Sequence, residues 1–248
     1  MLAIIGGSGL SNFEGLKILN RDDVKTPYGD PSDSLVLGTI ASKEIIFLAR
    51  HGSDHSIAPH NINYRANIWA LNKLGVKSII SLASVGSIDL NLNVGDFVIP
   101  DQIIDYTSGR ENTFFDGVDK PLQHIDFTLP FDKSLRKLII NSVDKSLYNL
   151  CTSGVYAVTQ GPRLETLAEI NRYENDGASI VGMTVMPEAS LARELAISYA
   201  AICPVANHAA GRGESADGIS SAMLGQSSNQ TVENTIKILK NIVENYGN

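Results

Sequence analysis

Three segments of the sequence place phosphate-binding residue types directly after apolar, β-rich runs. The first is a glycine-rich turn at residues 6–9, where Ser8 adds a hydroxyl to backbone N–H groups that can converge on an oxyanion. The second carries Arg50 and His51, a guanidinium fork and an imidazole suited to phosphate oxygens. The third places Thr184 where a helix is predicted to begin, close to its N-terminal donors. Together they predict a site for one phosphate group.

Each of these segments also has an ordinary structural interpretation. The glycines are compatible with a tight turn, Arg50 with a surface salt bridge, and Thr184 with a helix cap. A dinucleotide fingerprint requires glycine three residues after Gly9, where the chain has Asn12, and no Walker-type lysine follows. The segments therefore favour a single phosphate over a dinucleotide or a triphosphate.

A carboxylate and a carboxamide occupy two further segments that follow predicted strands. Glu165 lies in the segment 161–165, and Asn207 lies in the segment 206–211. Ligands of open α/β sheets gather beyond the carboxyl ends of the strands, so we expect both side chains near the phosphate segments. A carboxylate can accept a hydrogen bond from purine N1–H, and an asparagine can both donate and accept along a base edge. From spacing alone, a surface glutamate and a turn asparagine are the commoner outcome.

The elements that must position these residues alternate between short β-branched runs and longer helical patterns. Apolar stripes at helical spacing predict helices over residues 62–70, 139–150 and 232–246, the last being the clearest. Pro162 and Pro187 each lie where a first helical turn is expected. The predicted strands are 2–5, 34–40, 44–49, 78–83, 96–100, 154–158, 179–183 and 200–207.

This alternation predicts an α/β fold in which a central mixed β-sheet is flanked by helices. We find no repeat, low-complexity tract or linker, so residues 1–248 are expected to form a single domain. The segment 101–130 mixes polar and aromatic residues and is interpreted as a functional loop.

Composition excludes several classes of protein. The chain has 248 residues, 43% of them hydrophobic, and a formal net charge of −7, which argues against a nucleic-acid-binding surface. Any anionic ligand must therefore be held by a local cluster of donors. Two cysteines are typical of a reducing compartment, and glycines interrupt the first ten residues where a signal sequence would need an apolar run. The sequence offers no membrane-spanning stretch, so we expect a cytoplasmic protein without a membrane partner.

The ordered motifs resemble the nucleoside phosphorylase family, which includes methylthioadenosine phosphorylase and trimeric purine nucleoside phosphorylase. The resemblance begins with Ile-Ile-Gly-Gly-Ser-Gly-Leu at residues 4–10 and extends to the final helix. The other motifs are Ala-Arg-His-Gly at 49–52, Asn-Tyr-Arg-Ala-Asn-Ile-Trp-Ala-Leu at 63–71, Asp-Tyr-Thr-Ser-Gly-Arg at 105–110, Thr-Gln-Gly-Pro-Arg-Leu-Glu-Thr at 159–166 and Met-Thr-Val-Met-Pro-Glu at 183–188.

The resemblance implies cleavage of a purine nucleoside by inorganic phosphate, which is a co-substrate, without a metal or an organic cofactor. It also implies a homotrimer in which a neighbouring subunit completes the pocket. Ala83 lies where relatives use a backbone N–H and often a polar side chain, so its own contact is limited to the main chain. The implied phosphate-site residues are Ser8, Arg50, His51, Ala83, Ser84 and Thr184, and Met183, Leu164 and Glu165 are implied to contact the nucleoside.

The same resemblance bears on the identity of the base. Asn207 and Ala209 stand where methylthioadenosine phosphorylases carry aspartates. Asn207 can donate to O6 and N7 of hypoxanthine, and Glu165 can accept from its N1–H. We therefore expect a 6-oxopurine substrate, with Asn207 as the catalytic residue that stabilises negative charge on the departing base.

The group at the 5′ position of the sugar is less constrained. The family's 5′-hydroxyl-binding histidine has no counterpart, since no histidine follows His208. Apolar residues, among them Ile219, Ala222, Met223 and Leu224, are consistent with a 5′-methylthio pocket and hence with S-methyl-5′-thioinosine, although apolar residues at this spacing are commonly core helix residues. Inosine or guanosine, and methylthioadenosine, remain alternative substrates.

Two other classes of protein compete with this interpretation. A dinucleotide-dependent oxidoreductase is suggested only by the glycine turn and fails at Asn12. A non-catalytic nucleoside-binding protein would keep the pocket without turnover, and the missing side-chain donor at Ala83 favours it slightly.

Overall fold

The computed structural model describes residues 1–7, 15–118, 120–220 and 229–247. Its helices are α1 (Tyr64–Lys73), α2 (Lys133–Ser142), α3 (Leu167–Asn175), α4 (Val185–Glu194) and α5 (Asn229–Asn245). Its strands are β1 (Leu2–Gly6), β2 (Lys17–Asp22), β3 (Leu35–Ile40), β4 (Lys43–Ala49), β5 (Ser78–Leu82), β6 (Val85–Ser87), β7 (Phe97–Val98), β8 (Gln102–Asp105), β9 (Leu150–Cys151), β10 (Val155–Val158), β11 (Ile180–Gly182) and β12 (Ser198–His208).

The strands form one mixed sheet with the order β2-β3-β4-β1-β5-β12-β6-β11-β10-β8, and β7 joins β12 to β9 at the side. Parallel pairs make up its centre, where β1 lies between β4 and β5 and β12 pairs with β5. Antiparallel pairs lie at β2–β3, β3–β4 and β6–β11. The predicted α/β fold with a central mixed sheet is confirmed.

The buried side chains of β1 show how the helices cover both faces of this sheet. Ala3 and Ile5 belong to one apolar cluster, and Leu2 and Ile4 belong to another, because successive residues of a strand point to opposite faces. Helices α1 and α4 contribute to the first cluster, and α2 and α5 contribute to the second. The stripe over 232–246 accordingly forms a helix that buries one side against the sheet.

The longest strand, β12, changes partner along its length. Its first half pairs with β5 as far as Ile202, and its second half pairs with β6 from Val205 onward. The pairing with β6 contains a register shift between Val205 and Asn207, and a bulge of this kind bends a strand and re-aims the side chains that follow it. Asn207 is the first paired residue after this shift, opposite Gly86.

Two helix predictions are wrong in part. The helix expected over 139–150 ends at Ser142, because Asp144 accepts hydrogen bonds from the backbone and hydroxyl of Ser146 and stabilises a turn instead. Leu147 is consequently 69% exposed. No helix begins at Pro162, and α3 starts after the capping box formed by Thr166 and Glu169.

Other parts of the chain differ from the predicted pattern in smaller ways. Pro187 lies in the first turn of α4, as expected, although Met186 and Pro187 are not helical in their backbone angles. Strands β2, β6, β8 and β9 were not predicted, since they are short or lack a run of apolar residues. The segment 101–130 contains β8 and otherwise no helix or strand among its described residues. In the described part of the chain, no helix combines the length and apolar character that crossing a membrane requires.

Candidate active site

A cavity of about 640 Å³ opens at the carboxyl ends of β1, β4, β5, β11 and β12. Gly7, Arg50, Ala83 and Met183 each follow one of these strands within a residue or so and line the cavity, as expected for a ligand site in an open α/β sheet. The sequence-predicted residues that line it are Arg50, His51, Ala83, Ser84, Leu164, Glu165, Met183, Thr184, Asn207, Ala209 and Ile219. The predicted site residues Ser8 and Met223, together with Ala222 and Leu224, lie outside the described residues.

Arg50 is almost fully buried at the floor of this cavity. Its Nε and Nη2 donate to the two carboxylate oxygens of Glu188 at 2.8 Å each, Nη2 also donates to Ser81 Oγ at 2.7 Å, and Nη1 donates to the Leu82 carbonyl oxygen at 3.1 Å. These four bonds use four of the five guanidinium N–H groups, which leaves one hydrogen on Nη1 for a ligand. The interpretation of Arg50 as a surface arginine is therefore wrong.

Glu188 belongs to one of the sequence motifs, but the sequence alone assigns it no role. The structure buries its carboxylate completely, and Tyr199 donates its hydroxyl to Oε1 at 2.7 Å. Burial acts against the charge of Arg50, but the charge and hydrogen bonds of Glu188 outweigh this effect and raise the pKa of the guanidinium. The pair is neutral as a whole, so the floor of the cavity carries little excess charge.

His51 lies beside this pair and is held in one orientation. Its Nδ1 lies 2.8 Å from the Ile57 carbonyl oxygen, which can only accept, so Nδ1 carries the hydrogen and Nε2 offers a lone pair. Burial lowers the pKa of the imidazole to about 4, and the nearby positive charge of Arg50 acts in the same direction. His51 is therefore a neutral ring at pH 7.

Thr184 and Ala83, which are also predicted to bind phosphate, differ in the hydrogen-bond donors that they present. Thr184 is buried at the start of α4 and makes no side-chain capping hydrogen bond, so the alternative role as a helix cap is not observed. The backbone N–H of Ala83 donates to the Ile202 carbonyl oxygen at 3.2 Å. That donor is already engaged within the sheet, whereas the neighbouring Ser84 is exposed and lines the cavity.

Glu165 and Asn207 line the same cavity, and each already takes part in one side-chain hydrogen bond. Thr159 donates its hydroxyl to Glu165 Oε1 at 2.5 Å. Asn207 Nδ2 donates one hydrogen to the carbonyl oxygen of His208 at 2.6 Å, so one N–H and the carboxamide oxygen remain for a base. The expectation that Asn207 donates to both O6 and N7 is thereby reduced to one donated bond.

Gly86 and Ala209 are small residues that leave room around the carboxamide of Asn207. A Cβ added to Gly86 would lie 3.5 Å from Asn207 Nδ2 and 3.2 Å from a methyl group of Val181, so only glycine leaves this wall open. Ala209 is buried in an apolar cluster with Val181 and Ile170, where a second carboxylate would lack partners. Gly86 was assigned no role from the sequence. A glycine that follows an apolar residue such as Val85 in a strand can mark a place where a ligand or another backbone approaches closely, and this was the available signal.

Arg110 also belongs to one of the sequence motifs without a role assigned from sequence. It donates from Nη1 to the carbonyl oxygens of Met183 at 2.8 Å and Met186 at 2.6 Å, and from Nη2 to those of Thr159 at 3.2 Å and Gln160 at 2.9 Å. One guanidinium thus joins the segments that follow β10 and β11. The segment 101–130 contributes to the site through this residue.

A metal centre is not evident in the ranges that the structure describes, where His, Cys, Asp and Glu side chains form no group of three able to hold an ion. Ile219 lies half-buried at the edge of the cavity, next to the residues beyond 220. The lining of the cavity therefore combines the buried cation of Arg50, the polar side chains of Glu165 and Asn207, and the apolar side chain of Ile219.

Comparison with known proteins identifies the family. Residues 1–244 match the family model described as the phosphorylase superfamily. The chain belongs to the phosphorylase superfamily. Its match to the family model covers both ends of the cavity, from the glycine turn to Ile219 and into the final helix.

Individual members of the superfamily show the same similarity. The chain is 49% identical over 210 residues to a probable S-methyl-5′-thioinosine phosphorylase of Pseudomonas syringae pv. tomato, covering 85% of each chain. It is 47% identical to a 6-oxopurine nucleoside phosphorylase of Pyrococcus furiosus, covering 85% of this chain and 80% of that one. The structure of methylthioadenosine phosphorylase from Schistosoma mansoni in complex with adenine superposes with a TM-score of 0.90 at 34% identity, over 98% of this chain and 90% of that one. These relatives place the chain among the nucleoside phosphorylases of the superfamily.

The buried pair predicts a large cost for removing one partner. Glu188→Gln leaves the Arg50 charge buried without its counter-ion, so we expect a loss of about 3–5 kcal/mol in the free energy of unfolding, measured by urea denaturation. The control is Asp30→Asn, which removes one partner of the exposed pair Lys25–Asp30 and should cost less than about 1 kcal/mol. Equal losses in the two variants would contradict the role given to the pair.

The neutral His51 predicts a pH dependence of stability. Its pKa is about 4 in the folded chain, against the ordinary histidine value of 6.5 in an unfolded one, so unfolding takes up a proton between these values and stability falls as the pH is lowered through this window. In phosphate-free buffer, His51→Gln should lose less stability between pH 7 and pH 5 than the parent protein does. His124→Gln, which changes an exposed histidine, should match the parent; a His51→Gln profile that also matches it would refute the prediction.

Proposed function

We propose that this chain catalyses the phosphorolysis of a 6-oxopurine nucleoside, with S-methyl-5′-thioinosine as the preferred substrate. Phosphate and the nucleoside would give hypoxanthine and 5-methylthioribose 1-phosphate. The observation that carries the proposal is that phosphate-binding residue types and the pair Glu165 and Asn207 line one and the same cavity. The names of the Pseudomonas and Pyrococcus relatives support the 6-oxopurine class.

The phosphate co-substrate would occupy the polar end of the cavity. The free hydrogen on Arg50 Nη1, the Thr184 hydroxyl and the donors of Ser84 would face its oxygens, with Ser8 completing the set. His51 Nε2 offers a lone pair, so it would accept a hydrogen bond from a protonated phosphate oxygen. Because the Arg50–Glu188 pair is neutral, binding depends on directed hydrogen bonds more than on net charge.

Bond cleavage would separate charge between the sugar and the base. The bond between C1′ and N9 breaks with its electron pair going to the purine, and a phosphate oxygen forms the new bond to C1′. The remaining Nδ2–H of Asn207 would donate to O6 or N7, where the negative charge grows. Hydrogen phosphate gives up its proton as it becomes the sugar phosphate ester, and this proton balances the protonation of the ring that completes neutral hypoxanthine.

Base selection would follow from the direction of hydrogen bonds at Glu165. As a carboxylate it accepts, and N1 of a 6-oxopurine carries a hydrogen while N1 of adenine carries a lone pair. A buried acceptor facing another acceptor costs about 1–3 kcal/mol, which corresponds to a preference of roughly tenfold to a hundredfold.

The 5′-methylthio group is inferred from Ile219 at the apolar edge and from the sequence of the residues beyond it. Inosine or guanosine is the second candidate substrate, supported by the 6-oxopurine nucleoside phosphorylase among the relatives. A homotrimeric assembly and a cytoplasmic location also remain proposals from the family resemblance and the composition.

The proposal is tested by product analysis with S-methyl-5′-thioinosine, inosine and methylthioadenosine, each with and without phosphate. We expect hypoxanthine release only with phosphate, and kcat/KM highest for S-methyl-5′-thioinosine and lowest for methylthioadenosine. Release without phosphate would indicate a hydrolase, and no release at all would indicate a non-catalytic binding protein. A higher kcat/KM for methylthioadenosine would overturn the 6-oxopurine assignment.

The role of Asn207 predicts a defect in the chemical step. Asn207→Ala removes the donor to the departing base and should lower kcat by about a hundredfold. The control Asn72→Ala changes an exposed asparagine near the end of α1 and should leave kcat unchanged. Single-turnover rates under saturating phosphate measure both; an undiminished rate in Asn207→Ala would exclude the proposed role.

A further inference from the structure

Thr159 is buried and is the first residue of the motif at 159–166. It was assigned no role in the reaction, either from the sequence or in the proposed function. It directly follows β10, and its backbone N–H donates to the Gly182 carbonyl oxygen at 2.8 Å while its own carbonyl oxygen accepts from Arg110 Nη2 at 3.2 Å. Both sides of its backbone are therefore held in place. The position of its Cβ relative to the segment after β11 is thereby fixed.

The hydroxyl of Thr159 has one hydrogen to donate, and its partner is Glu165. The distance to Glu165 Oε1 is 2.5 Å, compared with 3.4 Å to the Gly182 carbonyl oxygen, which already accepts the backbone N–H of Thr159. Among the described residues, no other side chain or backbone group donates a hydrogen bond to the Glu165 carboxylate. The nearest arginine in sequence, Arg163, instead binds both oxygens of Glu169 at 2.7 and 2.8 Å.

Glu165 needs such an anchor because it lies between two cavities. It lines the nucleoside cavity and also a second cavity of about 260 Å³, which Tyr106 and Tyr173 border on the other side. A carboxylate without a fixed donor can rotate into the second space. With Oε1 bound to Thr159, the other oxygen is the one left for a ligand.

We propose that Thr159 is the positioning residue that sets base specificity, because its donated hydrogen bond holds the Glu165 carboxylate as an acceptor directed at the base. A ligand must then bring a hydrogen at that position, as N1 of a 6-oxopurine does, and a 6-aminopurine is refused. The inference rests on the proposed function and adds to it the residue on which the discrimination depends. Hydrogen bonds to a charged group are the stronger class, so the loss of this one has a measurable effect.

The test compares Thr159→Val with Thr159→Ser. Valine keeps the volume and branching but has no hydroxyl, whereas serine keeps the donor. We expect Thr159→Val to reduce the ratio of kcat/KM for 6-oxopurine to 6-aminopurine nucleosides by about tenfold to a hundredfold. Thr159→Ser should retain most of the ratio, and KM for phosphate, which binds at the other end of the cavity, should stay unchanged in both.

Thr128→Val is the matched control. It also removes a hydroxyl that donates to a carboxylate, that of Asp126 at 2.7 Å, but this pair is exposed and does not line the nucleoside cavity. Its substrate ratio should equal that of the parent protein. A folded Thr159→Val variant with an unchanged ratio overturns the inference, and so does a serine variant that behaves like the valine variant.

A second variant keeps the inference testable if Thr159→Val does not fold. In Glu165→Gln the Thr159 hydroxyl would fix the carboxamide oxygen and turn the amide nitrogen toward the base, so adenine should bind more tightly than hypoxanthine in calorimetry with phosphate present. An unchanged preference for hypoxanthine in this variant also overturns the inference. If the parent protein releases no hypoxanthine with phosphate, the proposed function itself fails, which is a separate result.

Discussion

The buried ion pair between Arg50 and Glu188 is the interaction on which the site depends. It connects the end of β4 to the start of α4 and fixes the guanidinium so that one hydrogen remains for a ligand. A buried charge is tolerated only when it is paired and its hydrogen bonds are satisfied, and the contacts with Ser81, Leu82 and Tyr199 complete that requirement. The hydrogen-bond donor that Arg50 presents to the cavity is thus fixed by contacts within the core.

The sheet places the other components in relation to this pair. Parallel strands end at one edge, so residues far apart in sequence meet there, and Asn207 follows the register shift in β12 and lies beside its ladder partner Gly86. Arg110 then joins the segments after β10 and β11 by bonding to their carbonyl oxygens. The residues proposed to contact phosphate and base are therefore held on one frame, which is the arrangement that a reaction between two bound substrates requires.

Relatives with similar folds differ in the base that their names describe, and this chain suggests how the difference arises. The schistosome enzyme was captured with adenine, whereas the bacterial and archaeal relatives are named for 6-oxopurine substrates. In this chain Thr159 holds the Glu165 carboxylate and Asn207 keeps one free N–H, so the proposed base contacts comprise one fixed acceptor and one directed donor. The direction of a few hydrogen bonds, on a shared fold, is enough to separate the two classes of base.

The sequence by itself predicts the strands, because they are short runs of β-branched residues. It also predicts the edge of the sheet at which ligands bind, because Arg50, Thr184 and Asn207 lie where such runs end. Every described residue that was assigned to the site lines the same cavity. The sequence did not reveal which partners these side chains take. Arg50 and Glu188 are 138 residues apart, the Ala83 N–H is consumed by β12, and the helix expected over 139–150 ends at Ser142. Such pairings depend on distances between elements that only packing of the whole chain creates, so they were decided by the tertiary structure.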